Sequence, residues 1–268
     1  LISAYAGIGD EVLYSEHGFL MYPINARAVG ATPVAAPETD LTANVDSLLA
    51  CVTDRTRMVF LANPNNPTGS YVPVDELRRL QAGLPPETLL VIDAAYAEYV
   101  SRNDYISGAE LVETFENVVM TRTYSKAFGL AALRLGWAYC PPVIANVLNR
   151  VRNPFNVTAA AQVAGVAAVG DLSHTDAVIA HNDEWLPRFT DELKGLGLEV
   201  PPSVGNFVLV RFGTAERAQS AYDRLMNCGV ITRMMGGYGL PDSLRITIGL
   251  GPELKAVLDG LSEYERTT

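Results

Sequence analysis

The stretch RTYSKAFGLAALRLGWA, residues 122–138, sets Thr123, Ser125 and Lys126 almost side by side. It follows them with one arginine, Arg134, inside an otherwise small and apolar run. A free lysine amine ionises near ~10.4, so a reactive one needs desolvation or cationic neighbours. Hydroxyls and a guanidinium are the donors that grip a phosphate. The four side chains together suit covalent capture of an aldehyde that also carries a phosphate. The competing reading is a solvated lysine on a Thr/Ser turn, and this segment alone leaves both open.

Two further segments bear on that choice. NPNNPTG at 63–69 follows the apolar run RMVFLA. A residue before proline avoids the helical region, so the doubled Asn-Pro steps demand a turn. A turn at the carboxyl end of a buried strand is where open α/β sheets place ligands. Asn66 could bond a ring hydroxyl there, or the segment could be a plain tight turn. DAAYAEY at 93–99 follows LLVI. Asp93 could pair with a protonated pyridine nitrogen and strengthen an electron sink, with Tyr96 bonding the ring's phenolic oxygen. Equally, Asp93 could cap a helix and Tyr96 could fill a core.

In order and spacing, NPNNPTG, then D-x-A-Y, then S-K-A-F-G-L-A-x-L-R-x-G resembles the fold-type I pyridoxal-phosphate aminotransferases, class I/II. The resemblance runs over nearly the whole chain. It implies pyridoxal 5'-phosphate as cofactor and Lys126 as the Schiff-base lysine that also moves the substrate α-proton. Asp93 matches the pyridine-nitrogen partner, Asn66 and Tyr96 the residues on the ring oxygen, and Thr123, Ser125 and Arg134 the phosphate cup. Phe19, in HGFLMYP, matches the aromatic that stacks on the ring; its alternative is a core position. Arg245, in LRIT, matches an arginine that grips an anionic end of the substrate, against the alternative of a surface arginine on a strand. Arg233 matches a second substrate-end arginine and Asn206 a residue at the mouth of the site.

The branch most resembled transaminates histidinol phosphate with 2-oxoglutarate. An aromatic amino-acid donor and a non-catalytic remnant that keeps the motifs are the alternatives. The resemblance also implies a small-molecule amino donor, a 2-oxo acid and a homodimer. It further implies a segment ahead of LISAYAGIGDEVLY, carrying a glycine-rich phosphate turn and an arm to the neighbouring subunit.

Elements must hold these residues at one place. RMVFLA at 57–62 and LLVID at 89–93 read as buried strands, VDELRRLQAGL at 74–84 as an amphipathic helix, and NVVMTR at 117–122 and LGWAYC at 135–140 as further strands. Continuous apolar runs suit a mostly parallel sheet covered on both faces. The alternation predicts a three-layer α/β/α large domain, residues 1–168. Residues 141–175 read as helical. GNFVLVRF at 205–212, GVITR at 229–233 and SLRITIG at 243–249 read as strands, with helices at 214–227 and 252–264, in a smaller C-terminal α/β domain, 169–268.

The totals narrow the remaining classes. A chain of 268 residues that is 49% hydrophobic can bury a substantial core. A net charge of −10 argues against a nucleic-acid partner. The apolar segment 158–169 is shorter than the ~20 residues of a membrane span. Cys51, Cys140 and Cys228 are widely spaced, which predicts a reducing compartment, the cytoplasm, and no zinc site. His17, His174 and His181 lack ligand spacing and suit surface or capping roles; no metal is expected.

Overall fold

The computed structural model describes residues 1–267. The strands are β1 Glu11–Ser15, β2 Thr32–Ala36, a short hairpin of β3 Glu38–Thr39 and β4 Thr42–Ala43, β5 Thr56–Ala62, β6 Leu89–Asp93, β7 Val118–Thr123, β8 Gly136–Tyr139, β9 Phe207–Arg211, β10 Arg233–Met234 and β11 Ser243–Thr247. The main sheet has six strands in the order β2-β1-β5-β6-β7-β8. Every pair in it is parallel except β7–β8.

That exception has a simple cause. Residues 124–135, between β7 and β8, form no α-helix, only the single turn Ala131–Leu133, whereas a parallel partner needs a crossover, usually a helix. The chain folds back instead, and the folded-back loop carries Lys126 and Arg134. Sequence reading gave no strand to β1 or β2. All five residues of β1 are buried, whereas β2 contains Pro33 and lies at the sheet edge, where a missing N–H is tolerated.

Side-chain parity separates the two faces of the sheet. Val59, Leu61, Leu90, Ile92, Val118 and Met120 pack into one core with Leu77 and Leu80 of the helix Val74–Gly83. Met58, Phe60, Ala62, Leu89, Val91 and Val119 pack into the other, with Tyr22 and Ala26 of the helix Met21–Ala28. Strand side chains alternate with period two, so Asp93 falls on the Tyr22 face. The expected three-layer α/β/α arrangement is present.

Beyond β8 run the helices Pro142–Val151, Ala159–Gly170 and Leu172–Gly195. Thr158 caps the second, its hydroxyl accepting from Ala161 N–H at 3.2 Å. Asp171 caps the third by accepting from His174 N–H at 3.0 Å. No single helix among the described residues is long and apolar enough to cross a membrane. The antiparallel sheet β10-β11-β9 follows. It is backed by the helices Ala215–Asn227 and Gly251–Thr267 over a core that includes Phe189, Val208, Val210, Leu244 and Ile246. GVITR departs from expectation: only Arg233 of it is in β10. Gly229 takes a left-handed turn with φ +76°, closing the preceding helix, and Ile231 is 82% exposed.

Candidate active site

Ala62 pairs with Asp93, and Asp93 with Thr121, so β5, β6 and β7 end level with one another. Their carboxyl ends open on a cavity of about 300 Å³, lined among others by Phe19, Asn66, Asp93, Tyr96, Thr123, Ser125, Lys126 and Arg134. Eight residues singled out on three separate motifs and one helix start therefore meet around one space. Its size is at the lower end of small-molecule sites.

The NPNNPTG turn divides its labour. Asn63 is consumed by the scaffold: Nδ2 donates to Val72 O at 3.0 Å and Oδ1 accepts from Val72 N–H at 2.8 Å. Asn65 Nδ2 donates to Thr68 Oγ1 at 3.0 Å, and Gly69 N–H closes the turn on Asn65 O at 2.9 Å. Both Asn-Pro bonds are cis. Of the three asparagines it is Asn66 that lines the cavity, with Pro64 beside it, and its Oδ1 accepts from Arg245 Nη1. That leaves the Asn66 amide nitrogen as a donor.

Asp93 is not a helix cap; the next turn, Ala97–Tyr99, starts behind Tyr96. Its Oδ2 accepts from the Tyr22 hydroxyl at 2.7 Å. Burial pushes its carboxyl above the usual range, against the pull of hydrogen bonds from Tyr22, the Thr121 side chain and Ala95 N–H, and of the Lys126 charge. Tyr96 is buried and packs edge-on against Phe207, with ring centroids 5.1 Å apart. Burial raises its phenol to about 12. Tyr22 was not singled out from sequence. Its signal was a polar-tipped aromatic three residues after Phe19, one helical turn away, and that spacing became meaningful only with Asp93 in place.

Ser125 and Lys126 are adjacent in sequence, and on a continuing strand they would face opposite ways. In fact β7 stops at Thr123, the backbone turns, and both side chains line the cavity. Ser125 N–H donates to Thr123 Oγ1 at 3.1 Å, and Gly129 N–H to Lys126 O at 2.9 Å. Arg134 sits in the left-handed region, φ 53°, with Nη1 on Ala131 O at 2.6 Å and on Ser125 Oγ at 3.5 Å. The loop returns close to β7 at Gly136, where an added methyl would lie 2.8 Å from Arg122 O. Lys126 Nζ lies 5.0 Å from the Tyr96 ring centroid. Burial, then the Arg245 charge, lowers the amine's pKa, and Asp93 opposes them.

The floor beneath this loop is tied by an ion pair. Arg122 Nη2 meets Glu98 Oε1 at 2.5 Å, with side chains 19% and 8% exposed. Glu98→Ala would strand a buried guanidinium. It is expected to lower unfolding free energy by about 3–5 kcal/mol, read from urea denaturation; a change under ~0.5 kcal/mol, the size of an ordinary surface substitution, would contradict that.

The remaining candidates come from the small sheet. Arg245 alternates with Leu244 and Ile246, which are buried in the small core, and lies over the Phe207 ring at 5.2 Å. Arg233 pairs directly with Arg245, so the two share a face. Arg233, Arg245 and Asn206 stand outside the cavity's lining, Arg245 reaching it through Asn66; the Asn206 carbonyl accepts from Ile248 N–H at 2.9 Å. His17 Nδ1 is 2.8 Å from Tyr238 O, and His181 Nε2 is 2.9 Å from Gly249 O. No metal-binding cluster occurs among the described residues.

A lysine flanked by an acid and a hydroxyl–guanidinium cradle, at the carboxyl ends of parallel strands, is the arrangement of a cofactor-dependent group-transfer enzyme. The family model for aminotransferase class I and II matches residues 1–260, and the chain belongs to that family. It is 61% identical over 265 residues to a histidinol-phosphate aminotransferase of Rhodospirillum centenum, a match covering 98% of this chain and 73% of that protein. It is 60% identical over 266 residues to the protein of the same name from Paramagnetospirillum magneticum, again at 98% and 73% coverage. The solved structure of histidinol-phosphate aminotransferase from Sinorhizobium meliloti in complex with pyridoxal-5'-phosphate superposes with a TM-score of 0.93 at 31% identity. That superposition covers 99% of this chain and 73% of the other.

Proposed function

We propose that the chain transfers the amino group of histidinol phosphate to 2-oxoglutarate with pyridoxal 5'-phosphate as cofactor. The observation that carries this reading is the cavity itself, in which Lys126 stands among Asp93, Tyr96, Ser125 and Arg134. The donor set fits the cofactor. Thr123, Ser125 and Arg134 suit its phosphate, Asn66 and Tyr96 its ring oxygen, Asp93 its ring nitrogen and Phe19 its flat face. When bound, the cofactor supplies an aldehyde that takes up amino groups and a ring that accepts electrons.

The chain's own residues do the rest. The lowered Lys126 amine takes and returns the proton at the substrate α-carbon. Asp93 holds a proton on the ring nitrogen by its negative charge. Arg245 and Arg233 face the anionic end of the donor, with Asn206 near the mouth. The names borne by the two relatives at 60% identity or more support histidinol phosphate as the donor.

The same proposal includes a cofactor-binding unit, 1–168, and a smaller unit, 169–268, supported by their separate cores. It includes a homodimer, supported by the exposed row Val163, Val166, Val169 and Leu172, an apolar face suited to burial against a second copy. It also includes a cytoplasmic location, supported by three free cysteines.

The test compares kcat/KM for histidinol phosphate, histidinol and phenylalanine in the wild type and Arg233→Leu. A charge-assisted contact is worth ~1.5–3 kcal/mol. The variant is therefore expected to lose about tenfold or more on the phosphorylated donor and little on the others. Equal wild-type kcat/KM for the phosphorylated and unphosphorylated amines would overturn the donor assignment, and a preference for phenylalanine would favour an aromatic donor.

A further inference from the structure

Tyr22 is 5% exposed and is held by aromatic rings on three sides. It stacks on Phe60 with centroids 4.6 Å apart at 22°, and meets Phe19 edge-on at 5.9 Å and Tyr14 at 6.4 Å. Packing thus sets where its hydroxyl lies, and that hydroxyl donates to Asp93 Oδ2 at 2.7 Å. A buried phenol needs an acceptor, but a carboxylate in an apolar wall is a costly one. Tyr22 is contributed by a helix while Asp93 ends a strand, so the bond also ties the Phe19 turn to the sheet. Burial and the Asp93 charge push the Tyr22 phenol far above its ordinary value, so it remains a donor at every working pH.

We infer that Tyr22 is a positioning residue for Asp93: its hydrogen bond keeps the carboxylate ionised and aimed into the cavity, so that a proton shared with the cofactor's ring nitrogen stays on the nitrogen. The inference rests on the role proposed above for Asp93. The physical basis is that a hydrogen bond to the charged form lowers the carboxylate's affinity for protons. Thr121 and Ala95 also donate to Asp93. Tyr22 is the donor that can be removed without disturbing the strand, because phenylalanine keeps all three ring contacts.

The experiment uses wild type, Tyr22→Phe and Asp93→Asn, each loaded with pyridoxal phosphate labelled with 15N in the ring, together with 13C carboxyl titration of the apoproteins. In Tyr22→Phe the ring-nitrogen shift is expected to move toward the unprotonated value. The Asp93 titration is expected to rise by about one unit and kcat to fall about tenfold. A residue that only filled the core would lower the melting temperature and leave both titrations in place. If Asp93→Asn moves the 15N shift and Tyr22→Phe does not, the inference fails while the role of Asp93 stands. If Asp93→Asn leaves the shift unmoved, the role of Asp93 fails first. Fluorotyrosine at position 22 retains the ring and strengthens the donor; it is expected to lower the Asp93 titration, and a rise would also overturn the inference.

Discussion

Lys126→Ala is expected to slow amino transfer by roughly four orders of magnitude, the upper end of what a positioned proton-transfer group contributes. The fold should survive, because Lys126 lies on a loop at the cavity wall and belongs to none of the hydrophobic cores. Ser125 and Arg134, the phosphate cradle proposed above, are untouched, so cofactor is expected to bind still but without the lysine-dependent visible absorption. Single-turnover stopped-flow spectroscopy measures the loss, and small primary amines added to the variant should restore part of the rate by replacing the missing base. A variant retaining more than a tenth of the wild-type rate would remove Lys126 from the chemistry.

The pH dependence carries a sign of its own. The amine must be unprotonated to act as a base, and burial followed by the Arg245 charge lowers its pKa. The rate therefore rises with pH through a value below that of an ordinary lysine. Replacing Arg245 by leucine removes a lowering influence, so that limb of the profile moves to higher pH. Movement to lower pH would contradict the electrostatics described here.

Asp93→Asn is expected to lower kcat by about 10²–10³-fold, the range for loss of one preorganised electrostatic contact. The amide oxygen can still accept from Tyr22, so the geometry is nearly kept and the charge is lost. The apoprotein should respond in the opposite direction. Burial raises the folded-state pKa of Asp93, so its ionisation is harder in the native chain than in the unfolded one. For an acid raised in this way, stability falls as pH climbs from the unfolded value through the folded one. At neutral pH the asparagine variant without cofactor is therefore expected to melt higher than the wild type. A lower apoprotein melting temperature would mean that the carboxylate stabilises the fold, and its functional assignment would lose its main thermodynamic support.

Much of this was legible in the residue order. RMVFLA and LLVID are continuous apolar runs because both faces of β5 and β6 are covered, and the turns that end them carry Asn66 and Asp93. The alternation in SLRIT put Arg245 opposite Leu244 and Ile246. The antiparallel course of β8 was not legible, because LGWAYC has the same texture in either direction; the path of residues 124–135 decides it. Nor was the turn after Thr123 that brings Ser125 and Lys126 to one side, since local pattern could equally continue the strand.

Local sequence determined which residues could do chemistry and which strand end each one follows. That is so because hydrophobic period, proline restriction and turn composition act over a few residues at a time. Tertiary structure decided which face Asp93 shares, that Tyr22 is its donor and that Arg245 reaches Asn66 across 179 positions of chain. Those contacts depend on the level ends of β5, β6 and β7 and on the seating of the small sheet, which are set by packing among segments far apart in the chain.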